Sequence, residues 1–211
     1  MDQIGIKDRD DAILSVTENT RTATQKTAVL AAMRDRLPAL ADDGARRELS
    51  QAILRGLAGT FAYGNFGEVK QWFESAKLSP EELAICARNL QSSVLRPETG
   101  LWIEWFGTRL SPEDSRLIAS GMMRSWTEND HQAAADWLSN SNIDGTVKAH
   151  AIAGYADIVS RYEPEVAARW VLTLPDGKDR DNSLRVVRNN WPSSRSATRD
   201  AFAKEHGFTW P

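Results

Sequence analysis

The chain has 211 residues, 41% of them hydrophobic, with 26 basic and 29 acidic side chains and a net charge of −3. That balance excludes a disordered polyelectrolyte and gives no basic field for nucleic acid or an anionic membrane. It leaves enough apolar mass for one ordinary domain or one elongated repeat domain. A lone cysteine, Cys86, excludes an internal disulfide framework and a Cys-rich zinc site. No apolar run approaches the roughly 18–20 residues that a membrane span needs. The start, Met1-Asp2-Gln3-Ile4-Gly5, carries no hydrophobic segment of the signal-peptide kind. The expected location is therefore the cytoplasm by default, or the envelope or exterior if a leader was removed.

Residues 1–64 read as helical but lack the repeat that follows. Ala12, Ile13, Leu14 and Val16 predict a short helix near 8–18. Val29, Leu30, Met33 and Leu37 share one face of a helix near 21–37, which Pro38 ends. After the loop Asp42-Asp43-Gly44, the four-residue spacing of Leu49, Ile53, Leu57 and Phe61 predicts another helix near 45–62.

From residue 65 a period takes over. Trp72, Trp105, Trp137 and Trp170 are separated by 33, 32 and 33 residues, a spacing that marks stacked helical hairpins. An apolar residue follows each (Phe73, Phe106, Leu138, Val171), and another stands three before it (Val69, Trp102, Ala134, Ala167). These offsets share a face of a first helix, A. Seven residues before each Trp stand Asn65, Glu98, Asp130 and Glu163, which suit a helix start by capping or by charge. A second helix, B, opens at Pro80, Pro112, Asp144 and Asp176, each 32 residues after the last. Leu78-Ser79-Pro80-Glu81-Glu82 and Leu110-Ser111-Pro112-Glu113-Asp114 both read as Ser N-cap, Pro at the first position and an acidic first turn. Small residues recur inside helix B at Ala87, Ala119, Ala151 and Ser183, where neighbouring helices can approach closely. Bulky ones close it at Val94, Trp126, Ile158 and Trp191. Beyond them Ser193-Ser194 caps a helix near 195–206, which Gly207 ends.

The expected architecture is one continuous all-α domain. It is a right-handed α-solenoid with an N-terminal helical cap (1–64), four hairpins (65–192) and a C-terminal capping helix and tail (193–211). Residues 163–191 run Glu-Pro-Glu-Val-Ala-Ala-Arg-Trp, then Leu-Pro-Asp-Gly, then an Arg-containing helix closed by Trp191. This stretch resembles a unit of the Trp-anchored bacterial helical-hairpin repeats, which are similar to tetratricopeptide and HEAT-like units. Residues 130–158 follow the same pattern. Residues 98–126 have Leu-Ser-Pro in place of Leu-Pro-x-Gly, and the first unit keeps Trp72, the Leu-Ser-Pro turn and Ala87. The resemblance implies an interaction scaffold, not an enzyme, with the B helices lining the concave side.

Little else in the sequence carries chemistry. His131, His150 and His206 have no metal-ligand spacing. His131 reads as a first-turn residue and His150 as a packing residue of helix B. Cys86 lies in an apolar stretch and reads as a buried, inert thiol. The glycines at 56, 59, 64 and 67 lack the order of a phosphate loop. Tryptophans can stack on sugar rings, yet the phase of Trp72, Trp105, Trp137 and Trp170 assigns them to the core, with Trp126, Trp191 and Trp102. On that basis Trp137→Ala or Trp170→Ala costs about 3–5 kcal/mol. Trp210 is the tryptophan expected to be exposed. Arg116, Lys148 and Arg180 recur every 32 residues on three B helices, and with Arg188 they form a candidate basic ladder for a partner. The expected function is non-catalytic binding of a protein or peptide, with no cofactor. A self-assembling homo-oligomeric subunit is the alternative, and nucleic acid the weaker one.

Overall fold

The computed structural model describes residues 20, 22–90, 98–143 and 145–211. The protein is all-α: among the described residues there are eleven α-helices, three short 3-10 turns and no strand. The helix expected near 8–18, Val94 and Asp144 lie outside those residues. The chain gathers into two compact units, Met1–Leu95 and Arg96–Pro211, divided after the first of the hairpins read from the sequence.

The first unit contains α1 (Ala23–Arg36), α2 (Asp43–Gly59), α3 (Phe66–Ser75) and α4 (Pro80–Leu90). Thr22 and Gln25 open α1 with a reciprocal capping box. Asp42 starts α2 two residues earlier than the apolar pattern suggests, because its Oδ1 accepts from the N–H groups of Gly44 and Ala45. Ser79 and Glu82 cap α4 in the same reciprocal way, at 3.2 and 2.8 Å. The core packs Leu54, Leu57 and Phe61 against Trp72, Phe73, Cys86 and Leu90, with Trp72 only 3% exposed. Its ring centroid lies 4.9 Å from that of Phe61, and its Nε1 donates to Thr27 Oγ1 at 3.2 Å. Arg34 of α1 donates to the carbonyls of Ala76 and Lys77 and pairs with Glu82 at 3.1 Å. It thereby holds the turn where Lys77 takes a left-handed φ of 48°.

The second unit alternates short and long helices: α5 (Thr99–Gly107), α6 (Pro112–Asn129), α7 (His131–Asn140), α8 (Gly145–Val159), α9 (Pro164–Leu172) and α10 (Lys178–Asn190), then α11 (Ser196–Glu205). Helix α8 is its centre, packing on α6, α7, α9 and α10 and on the edge of α5. Its contact with α6 is the most extensive between helices among the described residues. The reason is a glycine: a Cβ on Gly154 would lie 2.3 Å from the carbonyl oxygen of Ser120, so the two backbones touch only because Gly154 has none. The small positions Ala87, Ala119, Ala151 and Ser183 are all buried, as the spacing requires.

Helix starts discriminate by side-chain length. Asn65 and Asp130 each accept a backbone N–H three residues on, at 3.0 Å. Glu98 and Glu163, one methylene longer, make no such bond. Gly177, before α10, has φ 151° and ψ −176°, a region open to glycine. At the far end Ser193–Arg195 form a 3-10 turn and do not cap α11. Gly207, at φ 69°, ends α11 and lets the Phe208 N–H reach the Ala203 carbonyl at 3.1 Å.

Candidate interaction surface

The four ladder residues sit on three helices of the second unit, and three of them already have acceptors within the chain. Lys148, half-buried on α8, donates from Nζ to the Ser141 carbonyl at 3.1 Å. Arg180 on α10 pairs with Asp176, one turn away. Arg188 donates to the Pro211 carbonyl at 2.8 Å and ties down the C-terminal tail. Arg116 on α6 is exposed. Of the four, only Arg180 is paired with an opposite charge among the described residues.

His150 lies where α8 meets its neighbours and is 8% exposed, with Nδ1 lacking a hydrogen-bond partner among the described residues. Burial lowers its pKa, Asp179 opposes that shift and Arg116 adds to it. In the unfolded chain the imidazole takes its proton near the ordinary value of 6.5; in the folded chain it does so only at lower pH. Stability present above about pH 6.5 is therefore lost as the pH falls through the folded value. The expected result is that His150→Gln flattens the fall in melting temperature below that pH, relative to wild type.

Cys86 is fully buried in the first unit, where burial first and Glu82 second push its thiol up to about 12. It is a thiol at neutral pH and a packing group. His131 is exposed in the first turn of α7. Among the described residues no three His, Cys, Asp or Glu side chains come together in a way that would hold a metal ion.

Tryptophan burial divides the repeat positions. Trp72, Trp102, Trp105, Trp126 and Trp191 are buried, but Trp137 and Trp170 are half-buried. Trp210, expected to be exposed, is half-buried as well: its ring meets that of Trp191 at 5.6 Å and its Nε1 donates to the Arg199 carbonyl at 3.2 Å. Trp137 lies 5.8 Å from Trp126, centroid to centroid, and close over Gly100, where a Cβ would come 2.3 Å from its Nε1. Its half-burial leaves indole surface accessible.

That surface forms one wall of an open groove of about 560 Å³. Glu104 and Thr108 line it from the end of α5, Trp137 and Asn140 from α7, Ser141, Asn142 and Ile143 from the residues that follow α7, and Val147 from the first turn of α8. Two neighbours shape it. Lys148 holds the connection through the Ser141 carbonyl, while Asn140 turns its Nδ2 back to the Asp136 carbonyl at 2.7 Å. The Ser141 hydroxyl oxygen is buried and has no partner among the described residues. An aromatic face, two aliphatic side chains and a few amide, hydroxyl and carboxylate groups can hold a side chain by both its stem and its tip.

The sequence reading did not anticipate the groove. No sequence signal marks it: four residues after each tryptophan stand Ala76, Arg109, Ser141 and Leu174, yet Trp72, followed by the smallest of them, is 3% exposed. Arg109 lays its guanidinium 4.5 Å over the Trp105 ring. No protein-family model, curated protein or solved structure matches this chain.

Proposed function

We propose that this all-α chain is a right-handed α-solenoid of about four Trp-anchored hairpins with helical caps, serving as a non-catalytic scaffold that binds a protein or peptide. The groove beside Trp137 carries the reading. It is a preformed concavity that joins an accessible indole to a small set of polar groups, as peptide-binding clefts do. The array reading is supported by α8 packing on α6 and α10, and by the burial of the small residue at the same place in each B helix. A protein partner is favoured over nucleic acid because Asp176 pairs with Arg180 and because the net charge is −3.

The test compares two surface variants as baits in extract of the source cell. Asn142→Arg places a long side chain into the groove from an exposed position, and Arg116→Glu reverses the exposed end of the ladder. The expected result is one protein retained by wild type and Arg116→Glu and lost with Asn142→Arg, at unchanged melting temperature. Loss with Arg116→Glu alone would move the binding face to the B helices. Recovery of the chain by itself, as an oligomer, would replace the scaffold reading with a self-assembling subunit.

A further inference from the structure

We infer that the groove beside Trp137 receives a basic side chain, arginine above all, from an extended segment of a partner protein; this names the ligand chemistry of the surface proposed above and rests on that proposal. A comparison between two of the chain's own hairpins carries it. Arg109, four residues after Trp105, stacks over that indole and donates from Nη1 to the Trp105 carbonyl at 3.3 Å and to Thr108 Oγ1 at 3.0 Å. Four residues after Trp137 stands Ser141, and no Lys or Arg of the described residues lies over the Trp137 ring. The second hairpin supplies a cation to its tryptophan; the third supplies a groove.

The lining of the groove matches such a cation. Among the described residues its one charged member is Glu104, which is exposed and forms no ion pair there. A guanidinium there meets an indole, a carboxylate and the side-chain oxygen of the exposed Asn142. Ile143 and Val147 offer apolar surface to the methylene stem. Two cations among the described residues flank the groove and point to other partners: Lys148 donates from Nζ to the Ser141 carbonyl, and Arg109 lies over Trp105 while donating to Thr108 Oγ1. An acidic side chain in the same place would face Glu104 and the π-cloud together. Arginine suits the site better than lysine because its planar group can stack and donate at once.

Random peptides displayed on phage are selected against the full chain, with the Asn142→Arg chain as counter-selection. The inference expects selected peptides to share an Arg or Lys at one anchor position. Replacing an anchor arginine with citrulline, its neutral isostere, should then weaken binding at least tenfold. Glu104→Gln should weaken it about fivefold with no change in melting temperature. Peptides that discriminate against Asn142→Arg but carry an apolar or acidic anchor, and ignore Glu104→Gln, would overturn the basic-anchor inference and leave the groove as the binding site. Peptides that bind wild type and Asn142→Arg equally would overturn both.

Discussion

Gly154→Val is expected to cost more than about 3 kcal/mol and to unfold the second unit at moderate temperature. The backbones of α6 and α8 meet at Gly154, where the space for a first side-chain carbon is taken by the carbonyl oxygen of Ser120 at 2.3 Å. That oxygen belongs to a helix and cannot rotate away. Relief requires the two helices to separate along the most extensive contact between helices among the described residues, with Ile118, Met122 and Ile152, all at most 2% exposed, losing neighbours. Gly154→Ala should show the same effect at about 1–3 kcal/mol. Denaturant unfolding followed by circular dichroism measures both. An unchanged midpoint in the valine variant would mean that the helices are not in backbone contact.

Trp105→Ala should cost about 3–5 kcal/mol, and Trp137→Ala clearly less, about 1–3 kcal/mol. The period alone assigns the two rings equal status, but their surroundings differ. Trp105 is 7% exposed and carries Trp102, Phe106 and the Arg109 guanidinium around it. Trp137 is half-buried, so part of its surface stays in water in the folded state and contributes nothing to folding. The first variant strips a filled core position, while the second mainly enlarges a groove. Urea midpoints for the pair should separate in that order. Equal losses would show that Trp137 is as enclosed as Trp105.

The helices were legible because they rest on local rules. The i, i+4 spacing of Leu49, Ile53, Leu57 and Phe61, the Ser-Pro-acidic starts at Ser79 and Ser111, and the Asn65 and Asp130 caps all act within one helical turn. At Glu98 and Glu163 the same rules act by charge alone: both stand at the N-cap, and neither side chain caps a backbone N–H. Burial of each repeated tryptophan was harder to read, because it depends on what the neighbouring helix places beside it. Gly100 admits the Trp137 indole, and Arg109 covers Trp105. Trp210 was misjudged for the same reason: proximity to the chain end suggests exposure, but Trp191 and the Arg199 carbonyl hold it.

The candidate site divides along the same line. A regular spacing of Arg116, Lys148 and Arg180 can be counted in a sequence, but their acceptors cannot. The Ser141 and Pro211 carbonyls accept hydrogen bonds from Lys148 and Arg188, and the Asp176 carboxylate pairs with Arg180. The groove depends on how the end of α5, α7 and the start of α8 sit around Trp137, since the short Ala76 at the place that Ser141 holds leaves Trp72 buried. Such a difference stands out only when the units are compared position by position, with their packing known.

The most direct measurement is a two-dimensional NMR titration of the full chain with an arginine-anchored peptide from the selection. It is read at the Trp137 indole N–H and the side-chain amides of Asn140 and Asn142. The account predicts shifts there, at Glu104 and Thr108 and along 141–147, while the Trp105 indole N–H and the signals of Arg116 and Arg188 stay in place. Shifts concentrated on Arg116, Arg180 and Arg188, with the Trp137 indole unmoved, would contradict it.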